Sequence, residues 1–239
     1  MNKTRWALVL AVSVAAFAAG YSAFVPRGGP RSIREFDPDR LANLELRMWQ
    51  AYYAKARVRL FALLVTTLRE QYHYSWATAV TEGFHLARAA VAFGGAASHY
   101  ETVLPDLEAA YGTARRWLSA GFEPRDVARA ELAWWVARRT PGRNDPEEVG
   151  RLIAEEYALL YDAPLADMLR PGILRAEAAA LRDSQAERPD WPAIDRLLTQ
   201  SYRALKSSLT KAFARQSGVS MVATSDFVIL RFRKPCMMV

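Results

Sequence analysis

Two of the three histidines in this chain follow a glutamate by three positions, a spacing that can build a metal site. The pairs are Glu70 with His73 and Glu82 with His85. Residues three apart on an α-helix lie on the same face, and di-iron carboxylate bundles use Glu-x-x-His pairs from two helices to bind one metal each. The pattern therefore makes these four residues candidates for a carboxylate and metal centre.

Helical periodicity argues against that metal site. At about 100° per residue, an apolar stripe forms on each of the two helices that would carry the pairs. The stripes are Leu60, Phe61, Leu64, Leu68 and Tyr72 on the first helix, and Trp76, Val80, Phe84, Ala87 and Val91 on the second. Both Glu-x-x-His pairs project away from these stripes, whereas a metal centre in the core needs them to project inward. We therefore expect local contacts on solvated faces and no cofactor.

Three other glutamates are unusual because they fall within apolar stripes. Glu45, Glu131 and Glu156 each lie among apolar and aromatic residues on the face that should be buried. A carboxylate in such a place destabilises the fold unless it is paired, so each needs a partner. The candidate partners are Arg138, on the same face as Glu131, and tyrosine hydroxyls such as that of Tyr52. The set predicts either a buried polar network that fixes helix register, or a carboxylate-lined pocket for proton transfer or a cationic ligand.

Aromatic residues recur at helical spacing along much of the chain. Such a pattern is typical of a packed core, but tryptophan and tyrosine also line grooves that have an apolar body and a polar rim. A groove for an apolar ligand is therefore a second interpretation. The residues are Trp49, Tyr52, Tyr53, Trp76, Trp117, Trp134, Trp135 and Trp191.

The elements that position these residues are all predicted to be helices. Asp37-Pro38 and Asp145-Pro146 are helix starts, since the aspartate can cap the helix and proline has no N–H to lose. Pro105 should kink its helix or mark the true start. The predicted helices span 38–55, 56–73, 76–93, 99–119, 124–139, 146–161, 171–187 and 191–214. The fold class is all-α, a bundle of seven or eight helices, with an α-solenoid of helix pairs as the alternative.

The first 26 residues predict a membrane segment. Lys3 and Arg5 precede an uncharged run from Trp6 to Val25, which is long enough to cross a bilayer. We expect a retained single-pass anchor with an extracytoplasmic domain, and the alternative is a cleaved signal peptide that leaves a secreted protein. Residues 27–35 then form a linker, 36–216 the helical domain and 217–239 a disordered tail.

Composition excludes several classes of function. The net charge of +7 comes mostly from arginines scattered along helices, which disfavours nucleic acid as a partner. The chain has no nucleophile elbow, phosphate-binding loop, dinucleotide fingerprint or His-Glu-x-x-His zinc helix, so no catalytic residue is assigned. These features favour a membrane-anchored or exported helical protein that binds or scaffolds a partner. A metal-centre enzyme and a carrier of an apolar ligand are the alternatives.

Overall fold

The computed structural model describes residues 3–216, apart from the side chains of residues 3, 4, 6–11, 15, 19 and 216. This part of the chain forms nine α-helices and no strand, which confirms the all-α class. A short 3-10 helix, Tyr100–Val103, precedes α5. The predicted disordered tail, 217–239, lies outside the described residues. The helices are α1 Lys3–Phe24, α2 Pro38–Tyr53, α3 Arg57–Gln71, α4 Trp76–Gly95, α5 Leu104–Leu118, α6 Pro124–Arg139, α7 Pro146–Tyr161, α8 Leu165–Ser184 and α9 Trp191–Gln216.

Helices α2 to α9 pack in sequence order and close into a ring. Each helix packs against the next along the chain, and α9 packs back against α2. Short connections make consecutive helices neighbours, as in antiparallel bundles. The contact between α9 and α2 distinguishes this arrangement from the open α-solenoid, in which the terminal helices do not meet.

Capping side chains fix where the ring helices begin. Asp37 accepts hydrogen bonds from the backbone N–H groups of the first turn of α2, and Asp145 does the same for α7. Pro105 lies in the first turn of α5, which begins at Leu104 directly after the 3-10 helix ends at Val103. The predicted start of the helix at 171–187 was wrong: α8 begins at Leu165 and continues through Pro171.

Pro171 is tolerated inside α8 because α9 supplies the missing donor. Proline has no N–H to bond the carbonyl of residue i−4, here Asp167. The hydroxyl of Ser208 donates to that carbonyl at 2.8 Å, and the buried Ser201 donates to the carbonyl of Pro171 at 2.8 Å. Two serines of α9 therefore hold α8 in place.

Two glycines allow α7 and α8 to approach closely. A Cβ atom on Gly172 would lie 2.3 Å from the backbone oxygen of Gly150, and one on Gly150 would lie 2.6 Å from the Cα of Ile173. No side chain fits at either position without moving a backbone. This close contact between α7 and α8 fixes the position of Arg175, which projects from α8 one turn after Pro171.

Helix α4 is oriented opposite to the prediction. Trp76, Val80 and Phe84 of the predicted apolar stripe are exposed, and Glu82 is buried beside Gly83. The neighbour α3 approaches so closely that a Cβ on Gly83 would lie 3.1 Å from Val65. Small residues therefore face the ring, and the large apolar residues are left on the outer surface.

Helix α1 contacts the ring through α4. Its described apolar side chains Val12, Val14, Phe17, Tyr21 and Phe24 are exposed. Among the described residues, none of the helices combines the length and apolar character needed to cross a membrane. The predicted transmembrane or signal segment at 6–25 is therefore not supported by the described part of α1, and several of its side chains lie outside that part.

Candidate functional site

A cavity of about 670 Å³ lies inside the helical ring. Each of the eight ring helices contributes at least one lining residue, so the cavity is a product of ring closure. Its wall is mainly apolar and aromatic, and it reaches the surface beside the exposed residues Asn144 and Asp183. Ligand sites in proteins fall in this range of volume and have this kind of wall. The aromatic lining residues are Trp49, Tyr52, Tyr53, Tyr72, Tyr74, Phe93, Tyr111, Trp134, Trp135 and Tyr202.

Glu45 of α2 lies on this wall in a buried ion pair. The guanidinium of Arg175 donates to Oε1 of Glu45 through two nitrogens, at 2.9 and 2.6 Å. The indole of Trp49 donates to the same oxygen at 3.2 Å, and the hydroxyl of Tyr202 donates to Oε2. Both carboxylate oxygens are therefore satisfied, as a buried charge requires.

Tyr111 joins the other two predicted carboxyls. Its hydroxyl oxygen lies 2.9 Å from Oε2 of Glu131 and 3.2 Å from Oε1 of Glu156, while the indole of Trp134 donates to Glu156 at 2.6 Å. Burial and the two neighbouring carboxyls raise the pKa of Tyr111, so it keeps its proton. A neutral hydroxyl has one proton to donate, and can satisfy only one of the two carboxyls as a donor.

One proton shared within this group satisfies the geometry. Burial, followed by the charge of Glu156, raises the pKa of Glu131 to about 8. Burial also raises the pKa of Glu156, while Arg175 and Trp134 oppose the rise. A protonated Glu131 can donate to the oxygen of Tyr111 while Tyr111 donates to Glu156. The cluster can therefore hold a proton near neutral pH and release it above that.

Glu82 of α4 is the least satisfied acid of the cavity. Glu82 is 5% exposed, and its Oε2 atom has no hydrogen-bond partner. Burial raises the pKa of Glu82 to about 8, while a hydrogen bond from Tyr74 and the charge of Arg116 oppose the rise. Helical periodicity predicted a solvated face for Glu82, because the exposed side of α4 carries the large apolar residues.

The two predicted partners serve other residues. Arg138 donates to the hydroxyl of Tyr53 at 2.5 Å and to the carboxylate of Asp183 at 2.8 Å, rather than to Glu131. The hydroxyl of Tyr52 accepts a hydrogen bond from Arg139 at 3.3 Å and is not bonded to a glutamate. Both arginines stand at the rim of the cavity, so their cations are already engaged there.

The structure does not bring the candidate metal ligands together. Glu70 pairs with Arg40 at 2.8 Å, and His85 bonds Asp106 at 2.8 Å rather than Glu82. The ring of His73 lies against Gly29 in the segment before α2. No group of three metal-ligating side chains forms within residues 3–216.

Three cavity residues were missed by the sequence analysis, although helical spacing could have found them. Tyr111 lies in a stripe with Leu107, Ala114 and Leu118, and Tyr202 in a stripe with Leu198, Leu205 and Leu209. Arg175 shares a face of α8 with Met168, Pro171, Gly172 and Ala179, all of which are buried. Because the helix was predicted to start at 171, Met168 was left outside it and this buried face of α8 was not recognised.

Comparison of the chain with protein-family models, with curated proteins and with solved structures finds no match. The cavity and its side chains therefore carry the functional assignment.

Proposed function

We propose that this protein binds an apolar ligand in the cavity of its helical ring and is held at a membrane by its N-terminal segment. The observation that carries the first part is the aromatic cavity of about 670 Å³. Protein interiors are close-packed, with few voids larger than a water molecule, so packing alone does not account for a space of this size. The aromatic wall and its polar rim suit a drug-sized organic molecule.

A fluorescent dye tests binding in the cavity. N-phenyl-1-naphthylamine is uncharged near neutral pH and brightens in apolar surroundings, so we expect saturable enhancement with the full chain. Ala90→Phe places a ring into the cavity from α4, where Ala90 is part of the wall. This change should weaken dye binding about tenfold or more, because it fills the space that the ligand needs.

Ala92→Phe is the matched control, since Ala92 is exposed on the same helix. It should leave dye binding unchanged. The absence of saturable binding to the wild-type chain, or equal loss in the two variants, would contradict the assignment of the cavity as the ligand site.

Exposed apolar surface supports the membrane part of the proposal. The uncharged run from Trp6 to Val25 has the length of a bilayer-spanning helix, and its described apolar side chains are exposed. The helix it belongs to contacts α4, which itself exposes Trp76, Val80 and Phe84. Apolar surface of this extent needs a covering medium, and a lipid bilayer supplies one.

Vesicle flotation tests the attachment. The full chain should float with vesicles of phosphatidylcholine and phosphatidylglycerol. Phe17→Lys should reduce the floating fraction severalfold, because a charge in the apolar core of a bilayer is costly. Val58→Lys, which changes a similarly exposed apolar residue on α3, is the control and should float like the wild type. Equal flotation of the two variants would show that the N-terminal segment is not the anchor.

A further inference from the structure

Glu82 is not explained by packing or by binding of a purely apolar ligand. The carboxyl lines the cavity, yet Oε2 is buried without a hydrogen-bond partner. A buried polar atom without a hydrogen-bond partner destabilises a protein by the full cost of its desolvation. Groups of this kind in a native fold are rare, and a ligand that donates a hydrogen bond would satisfy this one.

Once Glu82 and Glu131 are ionised, the charges of the cavity favour a cation over an anion. Three glutamates, Glu45, Glu82 and Glu131, belong to the wall. Arg175 is the lining cation deep in the ring, and its guanidinium is already bound to Glu45. The arginines at the rim are bound to Tyr53, Asp183 and Tyr52. No cation in the described wall is left to neutralise Glu82.

Aromatic rings around Glu82 add to this preference. Tyr72 and Tyr74 precede α4, line the same cavity and act electrostatically on the Glu82 carboxyl. The face of an aromatic ring attracts an ammonium group, while its edges and the neighbouring leucines suit a hydrocarbon body. Carboxyl and rings together form a site for a cation that has an apolar part.

We infer that the cavity binds a lipophilic amine, with its ammonium group donating to Oε2 of Glu82 and its hydrocarbon body lying against the aromatic wall. This inference rests on the proposed function and names the class of ligand. No covalent step is involved.

Binding of the amine should release a proton from the protein. Glu82 is mostly protonated at pH 7, because its pKa is about 8, and it must lose that proton to pair with an ammonium ion. The groups that act on Glu82 are Tyr72 and Tyr74 from the segment before α4 and Arg116 from α5. A simple alkylamine keeps its charge up to about pH 10, as lysine does. Amine affinity should therefore rise up to about tenfold from pH 7 to pH 9.

Two probes of equal length test the inference. Titration calorimetry on the full chain compares 4-phenylbutylamine with 4-phenyl-1-butanol, which lacks the charge. At pH 9 the amine should bind about tenfold or more tightly than the alcohol, as expected for a hydrogen bond between charged groups in a buried site.

The variant Glu82→Gln should lose this preference while it still binds the alcohol, which shows that the cavity is intact. Glu177→Gln removes one negative charge from an exposed position of α8 and should keep the preference. Equal binding of amine and alcohol by the wild type would overturn the inference and leave the proposed function standing. A preference that survives Glu82→Gln would overturn the role of Glu82. Binding of neither probe would overturn the proposed function and the inference with it.

Discussion

Replacing Arg175 by methionine should destabilise the ring more than any exposed ion-pair change. The side chains of Arg175 and Glu45 are 16% and 5% exposed, and the guanidinium places two nitrogens on one carboxylate oxygen. Methionine keeps most of the aliphatic volume, so the change is chiefly electrostatic. The carboxylate of Glu45 then stays buried with Tyr202 and Trp49 but without a cation. Breaking a buried pair in this way costs about 3–5 kcal/mol of the free energy of unfolding.

The exposed pair of Arg203 and Asp39 provides the matched control. It also joins α2 to another ring helix through two hydrogen bonds, at 2.6 and 2.7 Å. Its side chains are 63% and 55% exposed, so solvent screens the interaction. Arg203→Met should therefore leave the urea midpoint nearly unchanged.

Urea unfolding at pH 7, followed by circular dichroism at 222 nm, gives the unfolding midpoint of each variant. The midpoints can be compared directly if the free energy of unfolding depends on urea concentration with the same slope in both variants. The double variant Glu45→Gln/Arg175→Met should recover part of the loss, because it removes the unpaired charge; a coupling of about 0.5–3 kcal/mol is expected. If Arg175→Met lowers the midpoint no more than Arg203→Met does, the pair does not stabilise the ring and the reasoning fails.

Three further predictions concern protonation and helix packing. The raised pKa of Glu131, about 8, means that the folded state binds the proton more tightly than the unfolded state. Stability should therefore fall between about pH 4.5 and 8, with a contribution from Glu131 of up to about 1.4 kcal/mol per pH unit. In urea titrations Glu131→Gln should remove this contribution and leave that of Glu82, whose pKa is also raised to about 8. Gly172→Ala should destabilise by about 1–3 kcal/mol in the same assay, whereas Gly112→Ala, which has room, should stabilise slightly. Ser208→Ala should cost about 1 kcal/mol in thermal or urea unfolding, since it unpairs the carbonyl that Pro171 leaves without an amide partner.

Much of the helical framework was predictable because its signals are local. Asp37 and Asp145 cap helices with their own side chains, and Pro105 lies in the first turn of α5, so neighbouring residues alone determine these starts. Pro171 shows the limit of such signals. A proline inside a helix normally ends it, but Ser208, 37 positions away, supplies the donor that allows α8 to continue. A distant contact of this kind cannot be read from the residues around the proline.

The candidate site was predictable in its acids but not in their partners. Glu45, Glu131 and Glu156 lie in apolar stripes, which is a property of single helices. Their partners Arg175 and Tyr111 come from other helices, and ring closure decides which helices meet. Glu82 was assigned to the wrong face, because close packing of α4 on α3 selected small residues rather than large ones.

The inverted orientation of α4 links the two parts of the proposed function. One face of this helix presents Glu82 to the cavity, and the opposite face exposes Trp76 and Phe84. An α-helix is only about 10 Å across, so a membrane covering the outer face would lie one helix away from the carboxyl that we assign to the ammonium group. Lipophilic amines concentrate in lipid bilayers, since their hydrocarbon part leaves water there. The class of ligand inferred from the cavity is therefore the class that the proposed location would supply.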